Sequence, residues 1–196
     1  MKILAFSDLH LDERSAELIC ADAETADLVI GAGDFAVQRD GLENAMEMLR
    51  PLLPKAVLVP GNAESADELR AAAGPAVVLH GEGLERDGVN LFGLGYAVPE
   101  TPFGSWSCDL TEAAAEELLF RMERADILIV HSPPKGVADR NKAGASIGST
   151  SIRAAIERVQ PRFALCGHIH DSWGISGMIG RTEVHNLGPQ PNWFEV

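Results

Sequence analysis

The chain has 196 residues, of which 46% are hydrophobic. It is long enough to form one hydrophobic core and too short for two domains of ordinary size. We therefore predict a single domain over residues 1–196. Its formal net charge of −13 argues against sequence-independent binding to long nucleic acid, because a protein needs a basic surface to neutralise many phosphates.

The sequence carries no pattern typical of membrane insertion or export. No apolar run approaches the roughly 18 residues that a membrane-spanning helix needs. The polar residue Asp8 follows Met1 too closely for a cleaved signal peptide to fit between them. We expect a cytoplasmic protein, and homo-oligomers are compatible with its sequence.

Short apolar runs bounded by glycine and proline recur along the chain and predict strands. The predicted strands are residues 2–6, 28–31, 56–59, 76–79, 89–94, 126–130 and 162–166, with shorter ones near 173–179, 182–187 and 193–195. Helical patterns cover residues 14–23, 42–49, 65–73, 112–124 and 151–159. The alternation of strand and helix in the first half implies parallel crossovers, and the closely spaced strands of the last quarter imply hairpins. The predicted fold class is α/β, a two-sheet sandwich flanked by helices.

Five polar clusters are distributed over more than three quarters of the chain. They are Asp8-Leu9-His10, Gly33-Asp34, Gly61-Asn62, His131 and Gly167-His168-Ile169-His170. Their carboxylate, amide and imidazole groups suffice to bind two divalent ions that share one carboxylate. The first cluster follows an apolar strand, and the carboxyl ends of strands are where an open α/β sheet places its ligands. Any one of these residues has an ordinary structural explanation, but their joint order favours metal binding.

The last cluster contains two histidines separated by one residue. We expect His168 and His170 to project the same way from an extended segment while diverging enough to serve different ions.

The order and types of these residues resemble the calcineurin-like metallophosphoesterases, whose pattern runs D-x-H, G-D, G-N-H-[DE], H and G-H-x-H. The resemblance spans residues 8–170. Further motifs resemble a branch of small single-domain phosphodiesterase-type members without a large cap: His131-Ser132-Pro133-Pro134, Asp139 and Gly148-Ser149. The resemblance implies an α-β-β-α sandwich and a phosphoric ester hydrolase.

The resemblance also implies a ligand set. It gives one ion the ligands Asp8, His10, Asp34 and His170, and the other ion Asp34, Asn62, His131 and His168. Asp34 is the expected bridge, and Asp34, Asn62 and His131 are the candidate catalytic residues. The expected cofactors are two divalent transition-metal ions, Mn, Fe, Zn, Ni or Co, with Mn favoured.

One position departs from the family pattern. Gly61-Asn62-Ala63-Glu64 has alanine where the family has a histidine that is credited with protonating the leaving group or stabilising the transition state. General acid catalysis typically contributes about 10² to 10⁴ in rate, so esters with poor leaving groups should suffer most. A histidine restored at position 63 should then help slow substrates most, provided that the fold leaves room for it.

The expected activity is hydrolysis of a small phosphodiester, cyclic nucleotides included, by a hydroxide bridging the two ions. Two alternatives stay open. A nuclease is disfavoured by the acidic charge. A protein-binding scaffold, as in the retromer subunit that resembles this family, is favoured only by Ala63 and opposed by seven retained polar ligands, which cost free energy when buried and unsatisfied.

Two long loops follow predicted strands. Residues 96–109 carry Pro99, Pro102, Phe103 and Trp106, which predict a packed proline-aromatic loop. Residues 132–149 follow His131 and carry the cations Lys135, Arg140 and Lys142. These cations are candidates for contact with phosphate oxygens, and solvated surface charge is an equal alternative for each.

Overall fold

The computed structural model describes every residue from Met1 to Val196. Eleven strands form two sheets, and five helices cover their outer faces. The strands are β1 (Lys2–Phe6), β2 (Leu28–Gly31), β3 (Ala56–Leu58), β4 (Val77–Val78), β5 (Glu82–Arg86), β6 (Val89–Leu94), β7 (Ile127–Val130), β8 (Phe163–Cys166), β9 (Ser176–Ile179), β10 (Thr182–Asn186) and β11 (Asn192–Glu195). The helices are α1 (Glu13–Ala23), α2 (Leu42–Met48), α3 (Ala66–Ala72), α4 (Glu112–Phe120) and α5 (Thr150–Val159).

The first sheet has the order β11-β1-β2-β3-β4 and the second β5-β6-β7-β8-β10-β9. Strands β1 to β4 are parallel, as are β6, β7, β8 and β10. Antiparallel strands lie at the edges, where β11 pairs with β1, β5 with β6, and β9 with β10. The predicted α/β two-sheet sandwich flanked by helices is confirmed.

Strand β1 shows how the alternation of side chains divides the core into layers. Ile3 and Ala5 face the second sheet, whereas Leu4 and Phe6 face the helices α1 to α3. A third apolar layer joins the outer face of the second sheet to α4 and α5. Each fully buried leucine, isoleucine or phenylalanine contributes about 1.5–3 kcal/mol, so these three layers stabilise the four-layer arrangement.

The structure corrects two expectations about strands. Strand β5 was not predicted, because its sequence EGLER has two glutamates, one arginine and a single leucine, a composition that an exposed edge strand tolerates. In the last quarter only β9 and β10 form a hairpin. Strand β10 pairs with β8 in parallel, and β11 crosses to the first sheet, where Phe194 pairs with Ile3.

The carboxyl ends of β1, β2 and β3 meet those of β7 and β8 at one edge of the sandwich. Backbone hydrogen bonds tie the loops beyond these ends together, from Asp8 N to Gly33 O at 2.8 Å and from Gly167 N to His131 O at 2.9 Å. All five polar clusters therefore lie at this edge.

None of the five helices is both long and apolar enough to traverse a lipid bilayer.

Candidate metal centre

The structure brings together all seven predicted ligands, in two groups. Asp8, His10 and His170 form the first group, in which the potential ligand atoms lie within 4.8 Å of one another. Asp34, His131 and His168 form the second group, and the same limit holds for it. Asn62 joins this second group, because its Oδ1 lies 3.1 Å from His131 Nε2.

Asp34 lies between the two groups. Its Oδ2 is 3.6 Å from His10 Nε2 in the first group, and its Oδ1 is 3.4 Å from His131 Nε2 in the second. One carboxylate thus presents one oxygen to each group, as a bridging ligand can.

The orientation of the histidines fits metal ions. His10 Nδ1 donates to Ala36 O at 3.0 Å, and His131 Nδ1 donates to Ala32 O at 2.8 Å. These bonds leave each Nε2 facing the site, as is usual for histidine ligands. His10 Nε2 also lies 3.2 Å from His170 Nε2. Imidazole nitrogens gathered with carboxylate oxygens form a donor set that suits divalent transition metals.

The backbone at this edge is unusual. Four of the seven residues have positive φ, namely Asp8 at 53°, His10 at 45°, Asp34 at 57° and His168 at 66°. Such values are uncommon outside glycine, although aspartate and histidine adopt them more readily than most residues. Strained conformations persist where the surrounding structure enforces them, and they concentrate at functional sites.

The expectation that His168 and His170 lie on an extended segment is wrong. His168 has left-handed backbone, and His170 begins a 3₁₀ turn that ends at Ser172. The two rings diverge because the chain turns between them. The ring of His168 lies 4.9 Å from that of His131, and the ring of His170 lies 5.1 Å from that of His10.

Two glycines permit the loops after β2 and β3 to pack backbone against backbone. At Gly33, where φ is 92°, a β-carbon would lie 2.6 Å from both Gly61 Cα and His131 Nδ1. At Gly61 a β-carbon would overlap the carboxylate of Asp34. Larger residues at either position would displace a predicted ligand.

In the second group, the buried Asp34 and His131 stabilise each other's charged forms. Burial alone would raise the pKa of Asp34, but the adjacent His131 and His10 outweigh it and hold this pKa below its usual range. Burial would lower the pKa of His131, but Asp34 outweighs it and raises this pKa to about 9. Burial, followed by the charge of His131, lowers the pKa of His168 to about 3, so His168 is a neutral imidazole with a free lone pair.

The sequence did not reveal the role of Glu64. This buried carboxylate accepts hydrogen bonds from the backbone N–H groups of Asp34 at 2.8 Å, Gly61 at 2.6 Å and Ala36 at 3.1 Å. Burial and the charge of Asp34 raise its pKa to about 7. Glu64 therefore clamps the loop that holds the candidate bridge to the loop that holds Asn62. Its only signal was an acidic residue directly after Gly61-Asn62-Ala63.

The amide of Asn62 is oriented by the loop 96–109. Asn62 Nδ2 donates to Ser107 Oγ at 3.0 Å, and Ser107 Oγ donates to Asp109 Oδ1 at 2.6 Å. With its nitrogen engaged there, Asn62 turns its oxygen toward His131. Asp8 is held in a comparable way by Trp173, whose Nε1 donates to Asp8 Oδ2 at 3.0 Å. No sequence pattern pointed to these contacts.

Two of the three cations of the loop 132–149 bind carbonyl groups of that loop. Lys135 Nζ donates to Ser146 O, and Arg140 Nη1 donates to Gly144 O, so both stabilise carbonyls of their own loop. Lys142 is exposed. The contacts favour a structural role for Lys135 and Arg140.

A family model described as calcineurin-like phosphoesterase matches residues 1–172. The chain belongs to the calcineurin-like phosphoesterase family. A Methanocaldococcus jannaschii protein of uncharacterised function is 28% identical over 200 aligned positions, which cover 97% of this chain and 89% of that protein. This calcineurin-like phosphoesterase is therefore a phosphoric ester hydrolase with two candidate metal-binding groups.

Solved structures share the fold at low sequence identity. A Thermus thermophilus protein has a TM-score of 0.72 at 16% identity, with 98% of this chain and 97% of that chain covered. A protein described as a novel archaeal phosphodiesterase has a TM-score of 0.56 at 15% identity, covering 96% and 84%. At this level of identity the likeness shows the calcineurin-like fold alone.

Proposed function

We propose that this phosphoesterase hydrolyses small phosphodiesters with acidic leaving groups, with two divalent ions bound at the seven predicted ligands. The observation that carries the proposal is the position of Asp34, which has one carboxylate oxygen beside each group. Bound there, the ions would supply Lewis acidity that activates water and stabilises charge on the phosphate.

In this proposal each residue has a definite task. Asp8, His10 and His170 would hold the first ion, and Asn62, His131 and His168 would hold the second. Asp34 would contact both. Mn is our first choice among the transition metals, because oxygen ligands accompany the imidazoles in both groups.

The preference for acidic leaving groups rests on Ala63. Its N–H donates to Asp34 Oδ1 at 2.8 Å, and its carbonyl accepts from Arg39 N at 2.9 Å. Its methyl group has no proton to give to a departing alkoxide. Acidic leaving groups, as in aryl diesters or strained cyclic diesters, need least help of this kind.

The archaeal neighbour described as a phosphodiesterase is compatible with this substrate class. The acidic charge of the chain disfavours long nucleic acid as a substrate. The single-domain organisation, the cytoplasmic location and any homo-oligomer stay predictions.

We expect the manganese-loaded protein to hydrolyse bis(4-nitrophenyl) phosphate with a higher kcat/KM than 4-nitrophenyl phosphate. Both substrates release the same alcohol, so the comparison isolates diester from monoester. Activity should disappear in chelator and return when Mn is added. A larger kcat/KM for the monoester under the same conditions would reverse the substrate class, and activity that survives exhaustive chelation would remove the metal-dependent reaction.

Ala63→His should lower kcat/KM for all leaving groups alike. Ala63 is only 1% exposed, so we expect an imidazole to displace its neighbours, and such overpacking typically costs about 1–3 kcal/mol. The measurement is a rate profile across aryl diesters of graded leaving-group acidity, with Ala71→His on the exposed side of α3 as the matched control. A gain confined to poor leaving groups would show instead that the imidazole fits and that a proton donor was the missing element.

A further inference from the structure

A cleft of about 520 Å³ lies directly beside the metal centre. Its lining includes the predicted ligands His168 and His170, Phe103 from the loop 96–109, and Ile147 from the loop 132–149. We call it the Phe103 cleft. A phosphate ester bound to metal ions at the seven predicted ligands would have one of its ester groups next to this cleft.

The walls of the Phe103 cleft expose large apolar side chains to solvent. Phe103 is 50% exposed and Ile147 is 41% exposed, although both side chains are large and hydrophobic. Pro99 and Pro102 add apolar surface to the same cleft. Exposed apolar surface that continues into a catalytic site is typical of a place where a ligand is bound.

Phe103 presents a flat and supported surface. Its ring stacks on Trp106 with the centroids 5.4 Å apart and the planes 8° from parallel. Trp106 thus covers one side of Phe103, while half of the Phe103 side chain stays open to solvent. A second planar ring stacked there would gain both apolar burial and aromatic contact.

The loop that carries Phe103 is tied to the metal centre. Thr101 donates to Asp109 Oδ2 through its backbone N–H at 2.8 Å and through its Oγ1 at 2.9 Å. Asp109 also accepts from Ser107, which holds the amide of Asn62. The hydrogen bonds therefore fix the loop bearing the aromatic surface to the loop bearing a predicted ligand.

The charge of the Phe103 cleft disfavours a second anionic group. No lysine or arginine lines it, whereas Glu100 and Asp171 do. Asp171 accepts one hydrogen bond, from Lys142 N at 2.7 Å, and it forms no ion pair. A nucleoside polyphosphate or an oligonucleotide would bring a further phosphate next to these carboxylates.

We propose that the Phe103 cleft binds an uncharged planar aromatic ester group of the substrate. The enzyme then selects phosphoesters that carry one such group and no second phosphate. This inference rests on the proposed function in one respect, because it takes the phosphate to bind at the seven ligands.

Phosphonates test the cleft without any leaving group. Phenylphosphonate and methylphosphonate share the anion that binds the metals and differ only in the group offered to the cleft. We expect the manganese-loaded protein to bind phenylphosphonate about tenfold more tightly, as measured by titration calorimetry, because stacking on an aromatic side chain typically has this magnitude. Phe103→Ala should reduce this ratio to about two or less.

The matched control is Phe120→Ala. Phe120 ends α4, is 77% exposed and does not line the cleft, so its removal should leave the ratio unchanged. If Phe103→Ala folds poorly, Ile147→Ser tests the other wall and should also lower the ratio. Equal ratios in the wild type, Phe103→Ala and Phe120→Ala would overturn the inference.

An added charge tests the exclusion of anions. Phenylphosphonate with a carboxylate in the para position should bind several-fold more weakly than phenylphosphonate, and Glu100→Gln should recover part of that loss. Tighter binding of the carboxylated compound would contradict the charge argument.

The binding assay separates the cleft from the reaction. A protein that hydrolyses no ester but still shows the Phe103-dependent preference for phenylphosphonate would refute the proposed function and leave the cleft assigned. Rapid diester hydrolysis without a Phe103-dependent preference would support the proposed function and overturn the assignment of the cleft.

Discussion

Replacing Asp34 with asparagine should almost abolish phosphoester hydrolysis. The amide keeps the shape of the side chain but removes the negative charge that faces both groups of ligands. Loss of an outer partner of a metal ligand typically costs 10–100-fold, so loss of the shared carboxylate itself should cost more than about a hundredfold in kcat/KM. Metal content should fall with activity, and both are measured on the same preparation.

The matched control for Asp34→Asn is Asp40→Asn. Asp40 is exposed on the loop that follows β2, where its carboxylate faces neither ligand group, so its loss should leave kcat/KM within about twofold. Near-normal turnover by Asp34→Asn, with both metals retained, would place the bridge elsewhere.

Glu64→Gln should lower both stability and activity. Three backbone N–H groups converge on the two oxygens of Glu64, and an amide has only one oxygen to offer them. The amide nitrogen must then face a donor, and an unsatisfied buried donor costs about 1–3 kcal/mol. We expect the free energy of unfolding of the metal-free protein to fall by about 2 kcal/mol in urea. Activity should fall by about tenfold or more, because the loops of Asp34 and Asn62 lose their common clamp.

Glu43→Gln on the exposed face of α2 provides the comparison for Glu64→Gln. Glu43→Gln also replaces a carboxylate with an amide, but no hydrogen bond depends on the Glu43 side chain. It should change neither the free energy of unfolding nor the activity measurably. A Glu64→Gln protein as stable and as active as Glu43→Gln would show that the three hydrogen bonds do not position the site.

The candidate ligand set could be predicted from the sequence because it depends on topology. Asp8, Asp34 and Asn62 each follow an apolar strand in a region of alternating strands and helices, and parallel strands present their carboxyl ends at one edge. Asp8, Asp34 and Asn62 therefore lie at the same edge of the sheet, whatever conformation the loops adopt. Their order and types also carried the resemblance to the calcineurin-like phosphoesterases, which the family match over residues 1–172 confirms.

Strand periodicity likewise determined most of the sandwich, but it failed where side chains face solvent. Strand β5 lies at a sheet edge and needs no apolar face, so its charged sequence gave no pattern. The destination of β11 was also hidden, because periodicity shows that a segment is extended and does not show which sheet it joins.

The sequence by itself thus determined the fold class, the edge that holds the site and the seven candidate ligands. Only the tertiary structure decided the clamp at Glu64, the turn between His168 and His170, and the Phe103 cleft. Each of these depends on contacts between loops that are distant in the chain, as when Glu64 receives the N–H of Asp34 or Ser107 orients Asn62. Local patterns record which residues a strand or helix buries, whereas such contacts arise only after the sheets have packed.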